Sequence, residues 1–402
     1  MRIAVFHNLP SGGAKRALYG LTSHLLKAGH VVDAFMPSTA DESFLPLKEL
    51  VRRYQISPVP RRPSRIMSSA LPHVLHSLVS LADQERAQES IANLINAGPY
   101  DVVLSEQDQD TFSPFVLRYL AKPTLYYCQQ PVRYQEAILD VLAKPVETTQ
   151  RLKPLRKRLW NYRNERINKL DKQNASFASY IVANSYFSRE NILQAYGRNA
   201  FVSYLGTDVD LFRPLSLPRD NCVLSVGSCM IQKGFDFLIR SLSLTDARMR
   251  PSMLIVSNAV DVAVEAYLHR LASKLGVELS IKKCVSDSDL VHLYNKAKLF
   301  VYAPYLEPFG LAPLEAMACG TPVVAVKEGG VRESVLHNET GILTERDEEA
   351  FALAVTELLQ DRGQRDRMAS RGLEVIRSFW TWTHAAQRLE FHLARAARLP
   401  RF

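Results

Sequence analysis

Two carboxylates placed around a helix start are the residues of this chain best spaced for chemistry. Glu307 and Glu315 enclose Pro308-Phe309-Gly310-Leu311-Ala312-Pro313-Leu314, and Ala316-Met317-Ala318-Cys319-Gly320-Thr321-Pro322 follows. Pro313 suits the first turn of a helix and Gly320 its C-terminal end. The backbone N–H groups of Phe309, Gly310 and Leu311 then lack intrahelical partners at the positive end of the helix dipole. An anion such as a diphosphate binds at such a place. Gly310 lets the anion come close to the main chain. Glu315 projects from the helix start, and a carboxylate can accept both hydroxyls of a ribose. Glu307 stands before the turn, across the anion position, where a sugar would lie. Singly, Glu315 could cap its own helix and Glu307 could be a solvated loop acid. As a pair around a Phe-Gly turn, they read as a binding site.

A departing diphosphate gains negative charge, so its site needs a cation. Val226-Gly227-Ser228-Cys229-Met230-Ile231-Gln232-Lys233-Gly234 reads as a strand, a loop and a helix start, and Lys233 is placed to supply that charge. Its other reading is an exposed loop lysine. Near the N-terminus, Leu9-Pro10-Ser11-Gly12-Gly13-Ala14 follows the first strand, and Gly12 and Gly13 allow the backbone to approach a ligand. This signal is weak alone, because the full dinucleotide fingerprint is missing. Tyr126-Tyr127-Cys128-Gln129-Gln130-Pro131-Val132-Arg133 also leaves a strand. Gln129 can hydrogen-bond a sugar hydroxyl but cannot exchange a proton with it. Arg133 reads equally as a phosphate ligand or a surface ion pair. Glu106 and Asp108, after another strand, face an acceptor or cap their loop.

Glu307 and Glu315, with seven residues between them, resemble the E-x7-E motif of the retaining glycosyltransferases of family 4, which have the GT-B fold. Thr321-Pro322-Val323-Val324 and Glu328-Gly329-Gly330-Val331-Arg332-Glu333 are similar to the same family. The resemblance covers nearly the whole chain and is densest from 222 to 343. It implies that Glu315 holds the donor ribose and Glu307 the transferred sugar. It also implies that Phe309, Gly310 and Leu311 give amides to the diphosphate and sugar, and that the Gly12–Gly13 loop lies against the diphosphate. Ser228 stands where members commonly carry an arginine, which removes one expected phosphate contact. Gln129 stands where many carry a histidine, and Lys15 where many carry a glutamate. Ala183-Asn184-Ser185 and Gly206-Thr207-Asp208 are lesser matches that shape the site.

These loops must be carried by strands. Apolar runs at 3–8, 31–36, 102–105, 124–128, 180–183 and 201–204 alternate with helical patterns such as 14–28. The alternation repeats with strands at 222–226, 252–257, 299–302 and 322–326 and helices near 235–242, 264–275 and 288–297. Two doubly wound α/β domains follow, each a parallel sheet covered by helices, with a cleft as the natural ligand site. The segment 212–218 carries two prolines and no periodicity, so it reads as a linker about which the domains close. It divides an N-terminal Rossmann-like domain, 1–212, from a C-terminal one, 219–381. The terminal helix, 382–402, packs back on the first. By the resemblance, the first is the acceptor side and the second binds the nucleotide sugar. Residues 37–99 are the least legible; Pro58, Pro60 and Pro63 suggest an exposed loop, and 71–95 looks helical.

The 402 residues suit two domains, and an apolar fraction of 47% with 23% charged residues is that of a soluble globular protein. The five cysteines have no CxxC spacing, which disfavours a disulfide framework or zinc site and fits reduced thiols. The first residues run into a strand, with no h-region or cleavage site of a signal peptide. A cytoplasmic location is expected. The net charge of +9 calls for acidic partners. Much of it lies in 151–169, where Arg151, Lys153, Arg156, Lys157, Arg158, Arg163, Arg166 and Lys169 surround Trp160 and Tyr162. This is either a solvated helix face or a surface that rests on the anionic inner face of a membrane. No nucleic-acid motif accompanies the charge.

The resemblance thus implies transfer from a nucleotide-diphosphate sugar, with retention, to a glycan or lipid-linked acceptor. No cofactor is expected, and no essential divalent ion, because no Asp-x-Asp motif ends a suitable strand. The rival readings are a nucleotide-sugar epimerase or glycan phosphorylase of the same fold, or a sugar-nucleotide-binding protein with weak or no transferase activity. A nicotinamide dehydrogenase is disfavoured by the missing G-x-G-x-x-G.

Overall fold

Short apolar runs rich in β-branched residues form strands that, among the described residues, pair with one another in parallel. The computed structural model describes residues 1–60, 70–132 and 154–399. Two units divide the chain: Met1–Tyr204 with Ala385–Phe402, and Leu205–His384.

The first unit holds β1 (Arg2–Asn8), β2 (Val31–Pro37), β3 (Tyr54–Ser57), β4 (Val102–Asp108), β5 (Thr124–Tyr127), β6 (Tyr180–Ala183) and β7 (Phe201–Val202). Their order across the sheet is β3-β2-β1-β4-β5-β6-β7. Val103, Tyr126, Ile181 and Phe6 of this sheet are buried in one core with Ile91 and Ile95 of the helix Ala70–Ala97. The helix Trp382–Ala397 carries His392, whose Nδ1 lies 3.0 Å from the Tyr180 hydroxyl, so the end of the chain belongs to this unit.

The second unit holds β8 (Asp220–Val226), β9 (Ser252–Ser257), β10 (Leu279–Lys283), β11 (Ala297–Tyr302), β12 (Val323–Val326) and β13 (Gly341–Thr344), in the order β10-β9-β8-β11-β12-β13. Val223, Ile255, Val301 and Val324 form its core with Leu238 and Phe351 of the covering helices.

In each sheet the strand order reverses once, between β1 and β4 and between β8 and β11. At such a switch point the crossovers leave to opposite faces, and the loops after the two strands open a ligand crevice at their carboxyl ends. The Gly12–Gly13 loop follows β1, and Glu106 lies near the end of β4. In the second unit, the loop to Lys233 follows β8 and the loop to Glu307 follows β11. Because β8 and β11 are parallel neighbours, with Leu299 opposite Val223, both loops emerge on the same edge.

Three strands, β3, β10 and β13, escaped the sequence pattern; all are sheet edges. Arg133, Arg151, Lys153 and residues 61–65 of the proline-rich loop lie outside the described residues. On the helix Pro154–Ala175, Arg158, Tyr162, Arg166 and Lys169 are exposed and Ile167 is buried. Among the described residues, no helix is long and apolar enough to cross a membrane.

Candidate functional site

Lys233 and Glu307 come together in the second unit. Lys233 Nζ donates to Glu307 Oε2 at 2.7 Å, and each side chain keeps only about a fifth of its surface exposed (22% and 19%). Lys233 ends a 3-10 turn, Ile231–Lys233, and its stem lies over Gly227, where an added Cβ would stand 3.6 Å from Lys233 Cδ. Gly234 follows at φ 65; a Cβ there would sit 2.0 Å from the Ala303 carbonyl oxygen, so only glycine lets the two loops touch. The Tyr305 N–H donates to the Gln232 carbonyl at 2.9 Å, a direct tie between them.

Glu307 is gripped from the other side. Gly330 N–H donates to the Glu307 carbonyl at 2.8 Å. A Cβ at Gly329, φ 61, would stand 2.2 Å from the Glu307 oxygen, and one at Gly330 would stand 2.2 Å from the Pro308 oxygen. Leu306, just before, has φ 48, a left-handed conformation that a branched residue adopts only where its surroundings hold it. The Gly-Gly pair after β12 therefore fixes the backbone of the acid.

The helix Leu311–Ala318 begins at Gly310, φ 89, with no side-chain cap. Its first N–H groups have no intrahelical acceptor, and such a helix start suits an anion. Phe309 is buried, with its ring 5.7 Å from that of Trp380. Glu315 stands one turn further in than a helix-start residue, as the fifth residue of the helix. It is 5% exposed, and Tyr294 Oη donates to its Oε2 at 2.8 Å. Ser228 is half-buried in the loop before Lys233. Chemically, the arrangement offers an anion one lysine and a helix N-terminus at a glycine turn, with the Glu307 carboxylate for a hydroxyl group; Glu315 is turned inward onto Tyr294.

In the first unit, Gly12 caps the helix Gly13–Lys27 at φ 142. Lys15, in its first turn, is fully buried and bonds to Glu42, and lies 3.3 Å from His7 Nε2. Leu9 N–H donates to His7 Nδ1, so the ring proton sits on Nε2, which faces Glu42 at 3.0 Å. Burial lowers the basicity of both His7 and Lys15. It would raise Glu42, but the bonds from His7 and Lys15 outweigh it and bring that acid down to about 2. Sequence reasoning missed this cluster; its only signal was a lysine in place of the expected glutamate beside Gly13.

Glu106 has no exposed surface, and Gln129 Nε2 donates to its Oε2 at 3.2 Å. Two of the three acceptor-side candidates are therefore neighbours; the third, Arg133, lies outside the described residues. Burial pushes the Glu106 carboxyl up to about 8, against the opposing bonds from Gln129 and the Gln107 backbone. A folded pKa above the unfolded one stabilises fully below the ordinary value of 4.5, and that stability is lost as pH rises through about 8. Urea unfolding midpoints should therefore fall from about pH 5 to about pH 9 in the parent more than in Glu106→Gln. Equal slopes would show the acid ionised throughout.

Residues 209–375 match the family described as glycosyl transferases group 1. D-inositol 3-phosphate glycosyltransferase 2 of Catenulispora acidiphila is 32% identical over 233 residues, 52% of this chain and 55% of that protein. The chain thus spans about half the length of the curated relatives it matches. Sucrose-phosphate synthase from Thermosynechococcus elongatus is similar in structure with a TM-score of 0.75 at 20% identity, over 98% of each chain. Anabaena Alr3699/HepE in complex with UDP-glucose has a TM-score of 0.70 at 19% identity, over 98% of this chain and 100% of its own. These likenesses give the whole chain the GT-B fold. The matched region, 209–375, takes in Lys233, Glu307 and Glu315 and so belongs to the glycosyl transferases group 1 family.

Proposed function

We propose that the protein is a retaining glycosyltransferase that moves a sugar from a nucleotide-diphosphate donor to a glycan or lipid-linked acceptor. The observation that carries this reading is the Lys233–Glu307 pair, 2.7 Å apart, with the helix start at Gly310 following Glu307 on the same loop. The donor diphosphate takes the N–H groups of Phe309, Gly310 and Leu311 and draws Lys233 to itself, with Gly227 and Ser228 beneath it. Glu307, released from the lysine, accepts hydroxyls of the transferred sugar, and Glu315 accepts from the ribose. The bond from the anomeric carbon to the phosphate oxygen breaks with its electron pair on that oxygen. The acceptor oxygen bonds to the carbon on the same face, and its proton passes to the departing phosphate. Such a reaction needs positioned positive charge more than a strong protein base.

The first unit takes the acceptor, with Gln129 and Arg133 as its polar contacts and the buried Glu106 holding Gln129 from within. The exposed Arg158, Arg166 and Lys169 with Tyr162 suit an anionic membrane surface at the cytoplasmic face. UDP-glucose is the first donor to try, since Alr3699/HepE was solved with it. UDP-, GDP- and ADP-sugars should be incubated with the protein and the anomeric proton followed by NMR. Release of sugar or product with the donor's own configuration is expected from one of them. Inverted product, or no turnover with any donor, would remove the reading.

A further inference from the structure

Neither loop that carries the ion pair is held by its own residues alone. Both are tied to Arg346, which lies beyond β13 and belongs to no motif of the sequence. Its Nη1 donates to the Ala303 carbonyl at 3.0 Å and its Nη2 to the Pro304 carbonyl at 2.9 Å. Nε and Nη2 also grip Glu328, each at 2.7 Å, as a fork onto a carboxylate. The guanidinium plane lies over Tyr305, 3.8 Å from the ring centroid, and further from Phe237 at 5.3 Å. A Cβ at Gly234 would meet Arg346 Nη1 at 3.4 Å, so the same group also packs under the turn that ends at Lys233.

These partners lie on the two loops that carry the ion pair or on the segment that holds the Glu307 backbone. Ala303, Pro304 and Tyr305 lead into Glu307; Glu328 leads into Gly329 and Gly330, which hold the Glu307 backbone; Gly234 follows Lys233. We infer that Arg346 is a positioning residue for the transfer reaction: it sets the separation of Lys233 and Glu307 without touching the substrate. The inference rests on the donor-site reading above. Lysine could not replace it, because a point charge cannot satisfy a carboxylate fork and two carbonyls while stacking flat on an aromatic ring.

The test compares the parent with Arg346→Ala and Arg346→Lys at a temperature well below each unfolding midpoint. Turnover and donor KM are measured with the donor sugar that the parent uses. Loosening both loops should lower kcat by about 100-fold in Arg346→Ala and about 10-fold in Arg346→Lys, since a misplacement near 1 Å costs that much. Donor KM should change less than about threefold, because the helix start at Gly310 still holds the anion. Added guanidinium ion, kept far below denaturing concentrations, should restore part of the kcat of Arg346→Ala, whereas urea at the same concentration should not. If Arg346→Ala does not fold, Arg346→Lys decides. A kcat equal to the parent's in either folded variant overturns the inference and leaves the donor site standing. A parent that transfers no sugar removes the donor site and the inference with it.

Discussion

Glu307→Gln should lower the rate of sugar transfer by about 100-fold or more, as loss of one group aimed at transition-state charge does, and yet bind UDP more tightly than the parent. The tightening is the less obvious half. In the free protein, Lys233 is already held by Glu307 at 2.7 Å, so a diphosphate must take the lysine from a carboxylate and sit beside that carboxylate's charge. A solvent-exposed ion pair is worth up to about 1 kcal/mol, and this one is about four-fifths buried, so its removal should strengthen UDP binding by about fivefold or more. Titration calorimetry with UDP, paired with turnover of the donor sugar, separates the two effects. Weaker UDP binding by the glutamine variant would mean that Glu307 aids the diphosphate directly. A chain that bound nucleotide sugars without transferring them would show the affinity change and have no turnover to lose.

Gly329→Ala should have the largest effect on stability. The residue adopts φ 61, and its added methyl would stand 2.2 Å from the Glu307 carbonyl oxygen and 2.8 Å from the Glu307 nitrogen. Neither contact is with the end of a flexible side chain, so the loop itself must move. Backbone strain and the displaced Glu307 loop together should cost about 2–4 kcal/mol in urea unfolding. The protein that remains folded should transfer sugar poorly, because Glu307 is held by the Gly330 N–H at the same place. A variant with parent-like stability and turnover would show that the Gly-Gly pair does not fix the acid.

How much of this was legible depended on whether the cause lay within a few residues. Central strands such as β1 and β4 are buried on both faces and carry an apolar run, Ile3-Ala4-Val5-Phe6 and Val102-Val103-Leu104. The edges β3, β10 and β13 did not. In β10, Leu279-Ser280-Ile281-Lys282-Lys283 has exposed polar positions, because an edge has a neighbour on one side only. The turn at Gly310 and the loop to Lys233 could be read because each is a strand end followed by a glycine and a helix. The inward turn of Glu315 could not, since its partner Tyr294 is on another helix. Arg346 and the His7–Lys15–Glu42 cluster were equally hidden. Each draws together residues that only the folded chain makes neighbours, and none of those contacts leaves a local pattern.

In the proposed donor complex the second unit grips a nucleotide diphosphate through Lys233 and the helix start at Gly310. UDP, GDP and ADP titrated into the parent and into Lys233→Met test it most directly. At least one nucleotide should bind the parent, and the same one should bind the methionine variant at least about tenfold more weakly, the loss expected for a charge-assisted phosphate contact. Binding of equal strength to both proteins, or to neither, would contradict it.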